Sequence, residues 1–347
     1  YEIQASDWSS DVCSSDLPYH GVHDLHNKKL RATSECFKED PLRVLRGFQL
    51  CSRFDLNPDN QLLDYCYDVY TKYDTIAKER VWGEWEKWCL KGLYPSKGIN
   101  FLFRSGWLMK YPEILNLFGV PQHPEHHPEG CAYIHTLHVC DQMSRICVEN
   151  RIEGKQRVVY MLAALCHDFG KAFPEHGGTS KFHETKHKWV AYGHAEASVP
   201  LARKFLTFIG CPEHIIKEVI PLVAEHMVVS QTETITKSTV LKLAHRLGKH
   251  SSINKLMLLI DADYSGRPPK PKGLNEKALG MKQLAIDLGV YDAPQKPIVD
   301  GDKLLSMGYE EGYRIGFMLK AAYEAQLNLK FIDMTGAEKY LQNFGKF

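Results

Sequence analysis

From Val158 to Cys166 the chain runs through nine residues without a charge, and the run then meets an adjacent His167-Asp168 pair, Gly170 and Lys171. A stretch of that length, rich in Leu, Ala and Met, predicts a helix buried on all sides. An imidazole and a carboxylate at the mouth of such a helix must be paired or must ligate something, because neither is tolerated bare in an apolar interior. Further groups of the same kind follow the order H…HD…H…H…D: His135, His167-Asp168, His194, His226 and Asp263. Neutral imidazoles mixed with carboxylates suit first-row divalent ions such as Mn, Fe, Co or Ni, and suit Mg less well.

The roles can be distributed by chemistry. One ion is expected on His135, His167, Asp168 and Asp263. Asp168 has two oxygens, so it can bridge to a second ion about 3.5–4 Å away that His194 and His226 complete. A water acidified between two such ions attacks phosphorus in line. Lys171 and Arg267 are placed to steady phosphoryl oxygens, which makes them, with Asp168, the expected catalytic groups.

Lys+Arg at 43 against Asp+Glu at 42 leaves a formal charge of +1, so a nucleic-acid surface must be a local patch and not a global field. No segment approaches the ~18 unbroken apolar residues of a membrane span, and no membrane partner is expected. The ten cysteines form no C-x-x-C pair. Cys140, Cys147 and Cys166 fall within apolar helical patterns, the mark of reduced core thiols in a cytoplasmic protein.

Helical patterns are expected over 37–54, 62–73, 79–90, 97–110, 133–148, 158–168, 194–209, 212–227, 238–247 and 251–264. Pro41 sits in the first turn of the first, where its missing N–H costs little. Trp82, Trp85 and Trp88, at helical spacing, are read as core and not as a base-stacking surface. Gly170, Gly210 and Gly248 each follow a helix where a left-handed residue would close it. Pro221 should kink its helix just before His226. The Pro/His-rich segment 121–130 is the best boundary, and its His123, His126 and His127 are read as loop histidines. The polar stretch between Lys171 and Gly193 is read as a short hairpin or lid, with His176, His183 and His187 solvated. Residues 1–17 have no periodicity and no targeting pattern. They resemble translated sequencing-adapter text and are set aside from fold reasoning.

The order of the metal-binding candidates resembles that of the HD superfamily of metal-dependent phosphohydrolases, two-metal members included. A second string, Cys36 to Phe54, contains Glu39-Asp40-x-x-Arg43 and Arg46. By residue type this is a carboxylate and a guanidinium three apart at a helix start, able to face a base edge or simply to pair. The string closely resembles the neck of class II CCA tRNA nucleotidyltransferases and poly(A) polymerases. That resemblance implies that Asp40 and Arg43 contact the base of CTP or ATP, with Arg46 toward the triphosphate or the fold. Residues 21–31 look like the end of that family's catalytic head, 77–86 like its neck, and 297–305 with 322–327 like its C-terminal body. The implied fold is mainly all-α: 18–36 a remnant of an α/β nucleotidyltransferase head, 37–120 a neck binding RNA and nucleotide, 131–270 an HD phosphohydrolase domain, and 271–347 a helical body or tail.

The family's head also carries a D-x-D pair that holds Mg for nucleotidyl transfer, and nothing before Asp40 supplies one; Asp261-Ala262-Asp263 lies far downstream. The expectation is therefore an amino-terminally truncated relative. Three functions follow: an HD phosphohydrolase acting on 2′,3′-cyclic or terminal phosphates of RNA or nucleotides; a tRNA nucleotidyltransferase using Mg with CTP and ATP, the parent family's activity, which this chain is not expected to perform alone; or a non-catalytic tRNA-binding remnant. The implied partners are nucleotides, the tRNA acceptor arm or an RNA 3′ end, and a second copy in a homodimer.

Overall fold

The computed structural model describes residues 21–342, so the adapter-like segment 1–17 lies outside the described residues, as do 18–20 of the expected head remnant. The described chain is mainly α-helical, as the periodicity predicts. Helix α1 (Gly21–His26) precedes strand β1 (Lys29–Leu30). The expected helix 37–54 is broken at its start. A 3-10 turn over Glu35–Glu39 ends at Asp40, and helix α2 runs Leu42–Phe54. The cause is local: Pro41 has no N–H, and Asp40 Oδ1 instead accepts the Leu42 N–H at 3.0 Å. Asp55, left-handed at φ 56°, ends α2, and β2 (Asn57–Pro58) returns parallel to β1.

Helix α3 (Asn60–Asp68) is capped by Asp59, whose Oδ1 accepts the Leu62 N–H, and passes into a 3-10 turn before α4 (Lys78–Lys91). Helix α5 (Pro95–Arg104) ends earlier than expected because Gly106 at φ 77° turns the chain into a 3-10 segment. The short α6 (Pro112–Leu115) leads to α7 (Ala132–Glu149) and α8 (Gly154–Cys166). The predicted hairpin is present as β3 (Lys181–His183) against β4 (Lys188–Val190), antiparallel. Helices α9 (His194–Phe208), α10 (Glu213–Glu225), α11 (Val228–Gln231), α12 (Lys237–Leu247), α13 (Ile253–Ser265), α14 (Glu276–Asp287), α15 (Gly301–Ser306), α16 (Tyr313–Leu327) and α17 (Met334–Gln342) complete the order. No helix among the described residues is long and apolar enough to cross a membrane.

The described residues form two units, 21–224 with 261–273, and 225–260 with 274–342. In the first, the tryptophans are core as expected: Trp85 and Trp88 are fully buried, and Trp85 Nε1 donates to the Tyr111 hydroxyl at 3.1 Å. The boundary expected at 121–130 falls inside this unit. One buried cation binds its helices together. Arg157 on α8 donates to the carbonyls of Cys89 and Gly92 at the end of α4, at 2.9 and 2.8 Å, and to Ser144 Oγ on α7 at 2.9 Å. Helices α2 and α5 touch closely at Gly98, where a Cβ would lie 2.0 Å from Ser52 Oγ and 2.7 Å from the Phe48 carbonyl. Gly98→Ala should therefore force the pair apart and cost about 1–3 kcal/mol of stability in denaturant unfolding. A loss within experimental error would show that the approach is not tight.

In the second unit, Val299, Leu304, Met318, Ala322, Phe331 and Leu341 form one buried cluster with Tyr309. Thr236 and Thr239 make a reciprocal capping box on α12. A further D-x-D pair, Asp300-Gly301-Asp302, has a structural assignment: Asp300 caps α15 by accepting the Lys303 N–H at 3.0 Å.

Candidate metal centre

Within the first unit the structure gathers five of the six predicted ligands around the mouth of α8. His167 keeps helical geometry, whereas Asp168 leaves it at φ −107°, ψ 8°, and a 3-10 turn Phe169–Ala172 carries the chain away. Gly170 lies in that turn and is not among the positive-φ residues, contrary to the sequence expectation; Gly210 and Gly248 have positive φ, 80° and 66°, although Gly248, with ψ −154°, lies outside the left-handed helical region. Gly170 is glycine for space. A Cβ there would come within 2.3 Å of the His194 carbonyl and 2.8 Å of the Ala197 side chain. That contact seats the start of α9, and so His194, against the turn that follows Asp168.

Each of the three histidines is held from behind by its Nδ1. His167 Nδ1 meets the Ala164 carbonyl at 2.8 Å, His194 Nδ1 the Ala191 carbonyl at 2.6 Å, and His135 Nδ1 a carboxylate oxygen of Glu129 at 2.8 Å. A carbonyl or a carboxylate only accepts, so each Nδ1 carries a proton there, which leaves Nε2 as the inward atom that an ion takes by displacing any second proton. His135 Nε2 lies 3.0 Å from Asp263 Oδ1, His167 Nε2 3.2 Å from Asp168 Oδ2, and His194 Nε2 3.2 Å from Asp168 Oδ1. Ligands on an ion with bonds of about 2.1 Å are separated by about 3.0–3.4 Å, so the donor spacing fits a first-row divalent ion. Asp168 turns one oxygen toward His194 and the other toward His167 and Lys171, the disposition a bridging carboxylate needs.

All five groups are buried. Burial alone would push the two carboxyl groups up. Asp168 is nonetheless held well below the usual carboxylate range by the charges of His167 and Lys171 and by hydrogen bonds from His167 and His194. Asp263 is held down likewise, chiefly by Arg267 and His135. His135 is opposed by its burial but raised above the usual imidazole value by Asp263 and Glu129.

Lys171 and Arg267, expected at the phosphoryl oxygens, are here bonded to the ligand carboxylates. Lys171 Nζ donates to Asp168 Oδ2 and to Gln122 Oε1, both at 2.7 Å, and Arg267 Nη2 donates to Asp263 Oδ1 at 2.6 Å. His226 follows the last residue of α10, at the start of the second unit, and is buried. The helix containing Pro221 ends at Glu225.

Two groups escaped the sequence reading, Gln122 and Glu129, and His127, read there as a loop histidine, packs against the site; all three come from the Pro/His-rich segment. Glu129 Oε1 accepts from His135 and stands 2.9 Å from His127 Nδ1, and the His127 ring packs edge-on to His135 at 4.7 Å. Their segment has no periodicity, so only the density of His and Glu next to His135 signalled them. His127 is pushed down to about 3 by burial, against its bond to Glu129.

Asp40 and Arg43 are not paired with each other. Asp40 Oδ2 accepts from Arg80 at 2.8 Å, Arg43 donates to the Cys36 carbonyl, and Arg46 is exposed.

The fold and the site together define an HD domain, and the HD domain family model matches residues 132–266. The multifunctional CCA protein of Mannheimia succiniciproducens is 34% identical over 260 residues, covering 72% of this chain and 59% of that protein. That of Nitrosococcus oceani is 31% identical over 256 residues, with the same coverage of 72% and 59%. In fold the chain is similar to a CCA-adding enzyme solved with CTP, at TM-score 0.53, 14% identity, and coverage of 95% of this chain and 66% of that one. A CCA-adding enzyme solved with ATP gives 0.51 at 15% identity, covering 95% and 67%. The chain belongs to the CCA tRNA nucleotidyltransferase family and carries that family's HD domain. It spans 59% of the length of the curated relatives it matches.

Proposed function

We propose that this chain is a metal-dependent phosphohydrolase acting through the HD site on 2′,3′-cyclic or terminal phosphates of RNA or nucleotides. The observation that carries the reading is the convergence of three Nε2 atoms on Asp168 and Asp263, with every Nδ1 engaged behind. His135, His167, Asp168 and Asp263 would hold one ion. Asp168, His194 and His226 would hold the second, His226 on its place in the motif order alone. Bound there, Mn, Ni, Co, Fe or Mg would polarise the phosphoryl group and lower the pKa of the attacking water. Lys171 and Arg267 bring positive charge to the same carboxylates, and share it with a phosphoryl oxygen that approaches them. Glu129 holds the His135 tautomer, and Gln122 orients the Lys171 ammonium.

The test is hydrolysis of a 2′,3′-cyclic nucleotide by the purified chain supplied with each metal in turn. Inactivity with Mn, Ni, Co and Mg alike would remove the reading. Metal affinity should also fall with pH, because an ion must displace the proton that Asp263 and Glu129 favour on His135. The sign follows from the raised pKa: above it the proton is already gone and affinity is flat, and below it affinity falls by about tenfold per unit for one displaced proton. Titration calorimetry in buffers of different ionisation enthalpy counts that proton, and an affinity unchanged from pH 8 to pH 5 contradicts the assignment.

The names of the relatives favour a second reading, nucleotidyl transfer to tRNA, in which Asp40, Arg43 and Arg46 meet the base and triphosphate of CTP or ATP. It shares with the first an RNA 3′ end or acceptor arm as partner, a neck at 37–120, an HD domain at 131–270 and a body at 271–347. A homodimer and a cytoplasmic location, the latter suited to the buried thiols, belong to the same proposal.

A further inference from the structure

The hairpin of β3 and β4 is tied to the metal centre at both ends. Before it, the Ser180 N–H donates to the Lys171 carbonyl at 3.1 Å, and the Ser180 hydroxyl donates to the Pro121 carbonyl at 2.5 Å. After it, the Ala191 carbonyl accepts from His194 Nδ1. Gly178 lies so close to α9 that a Cβ would be 2.5 Å from the His194 Cα. The strands are thus flanked by two residues of the proposed catalytic machinery.

The register divides the hairpin into two faces. Phe182 stands opposite Trp189, their rings edge-on at 5.6 Å, and Phe182 is 42% exposed. The alternate positions put Lys181, His183 and Lys188 on the other face. The turn adds Lys186, whose Nζ donates to the exposed Tyr192 hydroxyl at 3.0 Å. Three lysines face one carboxylate, Glu184, between residues 181 and 192, in a chain whose overall charge is only +1. An exposed Phe182 ring set against the half-buried Trp189, on a hairpin carrying three lysines, offers the two contacts that hold a strand of nucleic acid, a ring taking a base and ammonium groups the backbone phosphates.

We propose that this hairpin is the substrate-recognition element of the HD site, and that it selects the end of a single-stranded oligonucleotide over a free mononucleotide. The proposal rests on the phosphohydrolase reading for the reaction but not for the binding. A mononucleotide that fills the metal centre has no further phosphate for Lys181 or Lys188 and no second base for Phe182. A strand continuing from the same terminal phosphate supplies both.

The experiment compares the parent with Lys181→Ala/Lys188→Ala and with Phe182→Ala in the full chain. One arm follows hydrolysis of a 2′,3′-cyclic mononucleotide and of a trinucleotide ending in the same cyclic phosphate. The other measures, by anisotropy, the affinity of a fluorescent trinucleotide with a terminal phosphorothioate. Each variant should lose about tenfold in trinucleotide affinity and in kcat/KM on the trinucleotide, a typical loss for one stacked base or two phosphate contacts. Each should keep mononucleotide hydrolysis within about twofold and retain the parent's metal content. Phe182→Trp and Lys181→Arg/Lys188→Arg should restore trinucleotide binding, which a merely structural hairpin would not predict. Equal trinucleotide affinity in parent and variants overturns the proposal, as does an equal loss on both substrates. An inactive parent whose trinucleotide affinity still depends on these side chains would remove the hydrolase reading and leave the hairpin as a strand-binding element.

Discussion

Asp168→Ala should empty the centre. The carboxylate is the one group that meets His167, His194 and Lys171 at once, so its loss removes a donor from both proposed ions. Substitutions that merely disturb groups behind the ligands cost about 10–100-fold in metal affinity or activity, and loss of the bridge should exceed that. The expected result is a fall from about two bound ions per chain to none by elemental analysis, with hydrolysis at background. Asp168→Asn keeps the shape and removes the charge, and should behave similarly; it guards against a variant that fails only because it unfolds. Unchanged metal content in a folded Asp168→Asn or Asp168→Ala protein would sink the assignment.

The second large effect is on stability. Arg157→Ala should destabilise the first unit by about 3–5 kcal/mol, since it leaves buried carbonyls at the C-terminal end of α4 short of a charged donor. Hydrogen bonds to a charged group contribute about 1.5–3 kcal/mol each, and only part of that is recovered by rearrangement. Arg157→Lys should recover less than half, because an ammonium on a single stem cannot reach Cys89, Gly92 and Ser144 together. Tryptophan fluorescence follows the unit directly, as Trp85, Trp88 and Trp107 all lie buried in it. A cost below about 1 kcal/mol would mean that water replaces the guanidinium freely.

Much of this was legible in the residues. The nine-residue apolar run reads as a buried helix, and its terminal His-Asp pair demands compensation, so the candidate centre is legible from sequence alone. Glycines at 210 and 248 declared their helix ends because a positive φ is a local property. Gly170 did not, because its reason is a neighbour twenty-four residues away, the carbonyl of His194. Glu129 and Gln122 are hidden, and His127 reads only as a loop histidine, for a related cause: a loop without periodicity carries no sign of which way its side chains turn. The same loop reads as a boundary because Pro and Gly interrupt the helices there. Its Gln122 instead accepts from Lys171, within the first unit. Asp40 and Arg43 were visible as a pair by spacing, yet Pro41 placed between them delays the helix and sends each to a different partner.

Among the described residues, the burial of the thiols leaves Cys36 as the natural labelling target. Among the described cysteines only Cys36 is exposed, and Cys131 is intermediate. Desolvation pushes Cys51 and Cys211 up to about 12 and Cys147 to about 11, and the buried Cys89, Cys140 and Cys166 well above the ordinary thiol value, so few of them exist as the reactive thiolate. The carbonyl of Cys36 is the group that Arg43 holds. A fluorophore placed on that sulfur sits beside the arginine proposed to meet a nucleotide base, and its emission would report on that proposal directly, changing on addition of CTP or ATP if the base contact is made.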